Sequence, residues 1–136
     1  MTKKIYLAGK ILPEVRAAIY DGLRDLDVEL MDPTKKPYSP AIADFVLWDL
    51  DHVRIAHAIV VIDVADFQMK GTMAEVGAAY AWGVPILTVV HGGFIHPFLA
   101  ALSRVVTFDI DTLIKYLRTW IDTDDFVKAY YSIYED

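Results

Sequence analysis

Ala58-Ile59-Val60-Val61-Ile62, then Gly71 to Trp82, then Pro85-Ile86-Leu87-Thr88-Val89-Val90 is the stretch whose reading decides the fold. The first run is continuous and almost wholly β-branched, which marks a strand buried on both faces rather than one that alternates between core and water. The middle segment reads as a helix closed by Gly83, since glycine past the last turn ends a helix at no steric cost. The third run is a second buried strand. Strand, helix, strand at this spacing is a parallel crossover unit.

Working outward, the same alternation continues. Ile5 to Ala8 is a short apolar strand ended by Gly9. Pro13 opens a helix to about Asp27, with Val15, Ala18, Ile19, Leu23 and Leu26 at helical spacing. Val28 to Met31 is a short strand. Asp32 to Pro40 holds three prolines and two lysines and reads as a loop. A helix then runs from Ser39 or Pro40 to about Ala56. Beyond Val90, Phe98 to Leu102 reads as a short helix, Val105 to Phe108 as a final strand, and Asp109 to Ile121 as a helix with Asp109 as its cap. The expected fold is therefore one α/β domain over residues 1–136, a doubly wound, flavodoxin- or Rossmann-like five-stranded parallel sheet with helices on both faces. Ligands of such sheets sit beyond the carboxyl ends of the strands, which points to the segments after Ala8, Ile62 and Val90.

Composition narrows the function. The chain has 136 residues, no cysteine and a formal charge of −6 from 13 basic and 19 acidic residues. Thiolate catalysis, disulfides and Cys-ligated zinc are excluded. The acidic balance disfavours a nucleic-acid polymer as partner, but not a small nucleotide that needs only a local donor site. Hydrophobic residues make up 55%, with a mean hydropathy of +0.33. The longest stretch without a formal charge, Val76 to Ser103, is broken by Gly83, Pro85, Gly92, Gly93 and Pro97, unlike a membrane helix. The N-terminal apolar run is too short for a signal peptide. The reading is a cytoplasmic oligomer, with the aromatic segment from Phe126 (Tyr130, Tyr131 and Tyr134 among its residues) as a candidate interface.

Two carboxylates stand out. Asp49 shares a helical stripe with Ile42, Phe45, Val46, Val53 and Ala56. A lone carboxylate on a buried face is costly unless paired or used, although a slight drift in phase would put it at the stripe's edge in water. Glu75 completes Thr72-Met73-Ala74-Glu75, the Ser/Thr-x-x-Glu pattern of a capping box, and could serve only to start its helix. The same geometry suits a nucleophile, because a helix N-terminus favours the ionised carboxylate and Gly71 permits close approach of a ligand.

These motifs resemble the nucleoside 2-deoxyribosyltransferases and the related nucleoside-monophosphate N-glycosidases. Lys4-Ile5-Tyr6-Leu7-Ala8-Gly9 is similar to the family's first strand and glycine turn. Asp49-Leu50, followed by Val53 and His57, is similar to its Asp-Leu-x-x-Ile-x-x-x-Asp helix. Gly71-Thr72-Met73-Ala74-Glu75-Val76-Gly77 is similar to its Gly-Thr-x-x-Glu-Ile-Gly signature, and Val84-Pro85-Ile86-Leu87 follows as its next strand. The cytokinin-activating phosphoribohydrolases share Gly-Thr-x-x-Glu, but there Pro-Gly-Gly precedes it; here Phe67-Gln68-Met69-Lys70 does.

The resemblance implies Glu75 as the nucleophile at the anomeric carbon, Asp49 as a second carboxylate holding sugar and nucleophile, and Tyr6 as a tyrosine bonded near the nucleophile. It implies a covalent glycosyl-enzyme, a nucleoside or nucleotide and a free nucleobase as partners, and no cofactor or metal. Gly9, Lys10, Gly71 and Thr72 fall at the substrate. Two positions depart from the pattern. Met69 stands where the family has a base-recognising Asp, with Asp63 and Asp66 as possible substitutes, and His57 stands for the second helix Asp. His96 falls by spacing where a neighbouring subunit's residue meets the sugar's 5′ end, so sites completed across subunits are expected. Base exchange, hydrolysis of a 5′-monophosphate, and a non-catalytic nucleotide-binding module are the three functions to separate.

Overall fold

The computed structural model describes residues 1–10, 12–64 and 69–135. Five strands, β1 (Lys3–Gly9), β2 (Val28–Met31), β3 (Ala58–Val64), β4 (Ile86–His91) and β5 (Val105–Thr107), form one sheet in the order β2-β1-β3-β4-β5. Every pairing is parallel, with Tyr6 opposite Met31 on one side and Ile59 on the other. This is the doubly wound parallel sheet expected from the sequence, and its strand order, which the sequence reading did not specify, reverses direction between β1 and β3.

Period-two alternation along the strands builds two cores. Ile5 and Leu7 of β1, Val60 and Ile62 of β3 and Leu87 of β4 face α1 (Pro13–Leu23), α5 (Ile110–Thr123) and α6 (Phe126–Ser132). Tyr6 and Ala8, with Ile59 and Val61, face α2 (Ile42–Ile55), α3 (Lys70–Ala81) and α4 (Pro97–Leu102). Strand parity alone thus sends Tyr6 to the face that carries Asp49 and Glu75.

Element ends differ from the sequence reading in instructive places. α1 stops at Leu23, four residues short of Asp27, and the chain turns there through a Leu26 N–H to Leu23 carbonyl bond of 3.0 Å. The Asp32–Pro40 loop contains a single 3₁₀ turn, Pro33–Lys35, whose first amide donates to the Asp32 carboxylate. Asp109 caps α5 as expected, accepting from the Thr112 amide at 2.8 Å. α6 was not foreseen. It is capped by Asp125, and Phe126 stacks on Trp120 at 5.1 Å between ring centroids. Part of the aromatic tail is therefore core, while Tyr131 and Tyr134 stay exposed.

Gly83 has φ +73° and closes α3, with Gly83 N–H bonded to Tyr80 and Val84 N–H to Ala79. Gly9 is the tighter position. Its φ is +92°, and a Cβ there would lie 2.2 Å from the Ile62 carbonyl oxygen. Gly9→Ala is expected to cost more than the roughly 1–3 kcal/mol that a left-handed φ alone carries, because the obstructing atom is backbone. Urea denaturation checks this: an unchanged midpoint would show that β1 and β3 can part at no cost.

Candidate active site

A cleft of about 420 Å³ opens at the carboxyl end of β1, beside the point where strand order reverses. Tyr6 to Gly9 form its floor. Asp49 and Leu50 of α2 and Gly71, Thr72 and Glu75 of α3 form one wall, and Arg16 of α1 and Pro33 line it from other elements.

At the centre the Tyr6 hydroxyl donates a hydrogen bond of 2.5 Å to Glu75 Oε2. Tyr6 is fully buried. Burial, with the negative charges of Glu75 and Asp49, drives its pKa far above the usual phenol range, so it remains a donor at every working pH. The Glu75 carboxyl is pushed up from 4.5 to about 7. Burial is the main cause. The Tyr6 hydrogen bond opposes it, Asp49 adds to the rise, and the cations Lys36 and Arg16 oppose it. Glu75 thus titrates near neutrality, where a group that must be a strong nucleophile yet tolerate burial is best poised.

The capping box does not form. α3 begins at Lys70 with Met69 as its cap, and Met73 N–H already bonds the Met69 carbonyl at 2.7 Å. Thr72 is the third residue inside the helix and is buried with Val76 and Ala79, while Glu75 lies in the second turn on that same stripe. The simplest non-functional explanation of Glu75, and the helix-end stabilisation of its charge, both go with the cap.

Asp49 is paired with Lys36 at 2.9 Å, each about a quarter exposed. The expected buried stripe on α2 is not there: Val53 and Ala56 are buried, but Ile42 and Val46 are exposed. Lys36, from the proline-rich loop, was missed in the sequence because loop composition says nothing about where one ammonium points. Arg16 was missed too, although it precedes Ile19 and Leu23 by three and seven residues and so shares their helical face.

The other candidates lie apart from the cleft. Met69 is buried in the core beneath α3. Asp63 is 3% exposed and accepts from the His96 amide at 2.9 Å, which ties the end of β3 to the start of α4 and occupies the carboxylate structurally. Asp66 lies outside the described residues. His96 caps α4, accepting from the Phe98 amide, and borders a separate recess with Met73 and Gly77. Lys10 uses its amide to bond the Ile62 carbonyl and is not among the cleft-lining residues. His57 exchanges hydrogen bonds with the Lys4 backbone through Nδ1 and N–H, both 2.8 Å, at the opposite end of the sheet. That is a structural use, and it accounts for a histidine at this position. Among the described residues no three His, Asp or Glu side chains converge as a metal site, and no helix is long and apolar enough to cross a membrane.

No protein-family profile matches the chain, and no curated protein matches it. Solved structures do. A 2-deoxyribosyltransferase from Bacillus psychrosaccharolyticus superposes with a TM-score of 0.71 at 22% identity, covering 93% of this chain and 95% of its own. The Clostridium botulinum CMP N-glycosidase gives 0.61 at 18% identity over 85% and 98%. A 2-deoxyribosyltransferase from Leishmania mexicana gives 0.53 at 26% identity over 73% and 70%. The chain thus has the fold of 2-deoxyribosyltransferases and of a CMP N-glycosidase, consistent with the nucleoside 2-deoxyribosyltransferase resemblance of its motifs.

Proposed function

We propose that the chain exchanges nucleobases on 2′-deoxynucleosides. In the first half-reaction a Glu75 carboxylate oxygen attacks the anomeric carbon, the glycosidic C–N bond breaks, and its electron pair leaves on the base. In the second, a nitrogen of an incoming base attacks the same carbon and Glu75 is released. Tyr6 holds Oε2 and leaves Oε1 for attack. Asp49, held by Lys36, accepts hydrogen bonds from the sugar hydroxyls. The single observation that carries the reading is the 2.5 Å Tyr6–Glu75 bond inside a cleft at the strand-reversal point, formed by a glutamate that is not a helix cap.

Hydrolysis of a nucleoside 5′-monophosphate is the second reading, favoured by the likeness to the CMP N-glycosidase. The two differ in the donor, a nucleoside or its 5′-monophosphate, and in the acceptor, a base or water. One assay separates them: a deoxynucleoside, with or without a 5′-phosphate, is mixed with a second free base. A new nucleoside supports exchange, and free base from the monophosphate supports hydrolysis. Turnover of neither supports a nucleotide-binding module without catalysis.

Oligomerisation belongs to the same proposal. Ile42, Val46 and Leu47 of α2, Tyr80 of α3 and Phe98 of α4 are all at least half exposed, more large apolar surface than a monomer usually leaves in water. The face carrying the cleft, rather than the aromatic tail alone, is the proposed interface. It would let a neighbouring chain bring His96 to the sugar's 5′ end. Light scattering at micromolar protein is expected to give at least twice the 15.4 kDa chain mass; a monomeric mass would remove the shared-site proposal.

A further inference from the structure

The proline-rich segment between β2 and α2 sends Lys36 onto a seat that α2 builds. Phe45, Trp48 and Asp49 fall at i, i+3 and i+4 and so share one face of that helix. The Lys36 ammonium donates to Asp49 Oδ1 at 2.9 Å and lies 5.2 Å from the Phe45 ring centroid and 6.0 Å from that of Trp48. Both rings are within reach of a cation–π attraction. Lys35 turns the other way, with Nζ 4.1 Å from the ring centroid of Tyr20 on α1. Two consecutive lysines thus divide between two helices, and Lys36 is the one brought to a carboxylate of the cleft. The Lys36 and Asp49 side chains are 21% and 24% exposed, so water screens this pair less than an open surface pair.

We infer that Lys36 is a positioning residue of the proposed reaction: it fixes the Asp49 carboxylate for the sugar and supplies the positive charge that lets Asp49 and Glu75 be ionised together. This rests on the glycosyl-transfer reading of the same cleft. Two carboxylates lining one cleft resist ionising together, and a nearby cation relieves them. Around Glu75 stand Tyr6 of β1, Asp49 of α2, Lys36 of the β2–α2 segment and Arg16 of α1. Tyr6 has one hydroxyl proton, and it goes to Glu75 Oε2. Arg16 already pairs with Asp32 at 3.2 Å, which balances its charge. Lys36 is not among the cleft-lining residues. It acts on Asp49 by contact and on Glu75 through space, where its charge favours the ionised carboxylate that Asp49 disfavours. With Lys36 neutralised, Asp49 loses its counter-ion and Glu75 holds its proton to a higher pH. A merely structural lysine would not move that titration.

The test compares the wild type with Lys36→Met, Lys36→Arg and Lys35→Met. Circular dichroism checks folding, and Lys36→Gln replaces Lys36→Met where the latter does not fold. Two quantities are followed against pH: kcat/KM on a 2′-deoxynucleoside, and the side-chain carboxyl signal of Glu75 by carbon-13 NMR in the protein without substrate. The chain has four glutamates, and Glu75→Gln identifies the Glu75 signal by its loss. Lys36→Met is expected to move the acid limb of kcat/KM and the Glu75 titration together to higher pH. Its kcat/KM should lie roughly three- to tenfold below wild type at pH 6, with a smaller loss at pH 9. Lys36→Arg keeps the charge, and Lys35→Met removes an equal charge on the α1 side; both are expected to leave the two midpoints at their wild-type positions. Wild-type midpoints in a folded Lys36→Met, a Lys36→Arg that titrates like Lys36→Met, or an equal move in Lys35→Met would overturn the inference while leaving the glycosyl-transfer reading intact. A wild type that turns over no donor, with or without 5′-phosphate, removes that reading and the inference with it.

Discussion

Glu75→Gln is expected to lower turnover by several orders of magnitude in a protein that folds normally. Glutamine keeps the shape and can still accept from the Tyr6 hydroxyl that now bonds Oε2. It cannot act as an effective carboxylate nucleophile, so the covalent route closes. Loss of a purely structural contact would act on stability within the 0.5–3 kcal/mol usual for point substitutions, and would leave a folded sample active. A second handle follows from the same chemistry. A 2-fluoro-2-deoxy sugar donor is expected to leave a sugar-sized mass on the wild-type peptide containing Glu75 and none on Glu75→Gln. Near-normal turnover of a folded Glu75→Gln would end the nucleophile assignment.

The parallel sheet with helices on both faces was readable because its strands are apolar in the way only a sheet covered on both faces permits. Ala58 to Ile62 has no polar residue, and all five side chains are buried. The helices were readable where a stripe meets that sheet, as Val15, Ile19 and Leu23 do. α6 was not, because its aromatic residues divide between a core contact, Phe126 on Trp120, and water, and density alone does not say which. α2 misled for the converse reason. Its apolar stripe looks like a core face in sequence, yet among the described residues nothing buries Ile42 or Val46, which stay exposed.

The site was legible through motif and parity, less so through local rules. Tyr6 and Glu75 meet as the resemblance implied, and Asp49 lines the same cleft. Thr72-x-x-Glu75 satisfies the capping pattern in sequence, but burying Thr72 on the Val76–Ala79 stripe places it inside the helix, and tertiary packing overrides the local signal. Arg16 and Asp32 form a pair across sixteen residues, and no periodicity within a single element reveals a partner on another. Met69 and Asp63 follow the motif's spacing to positions that the structure uses for packing and for tying loops.

The second large effect is on pH, and it separates activity from stability with opposite signs. With Glu75 at about 7 and the ionised form required for attack, kcat/KM is expected to rise about tenfold per pH unit below 7 and to level off above it, so that pH 5 lies about 100-fold below the plateau. Stability runs the other way. The folded-state value is raised from 4.5, so between about 4.5 and 7 the native state binds more protons than the unfolded chain. Stability therefore falls as pH rises through that window and stays lower above it. Moving the carboxyl from 4.5 to about 7 corresponds to about 3 kcal/mol at pH 8. Glu75→Gln removes the ionisation and is expected to recover up to about that amount at pH 8 and little at pH 4, read from urea midpoints at the two pH values. A nucleophile held in a buried, hydrogen-bonded place is expected to show this pairing of lost rate with gained stability. A Glu75→Gln protein less stable than wild type at pH 8 would mean instead that the charge is welcome where it sits, and the assignment of the acid limb to Glu75 would fall with it.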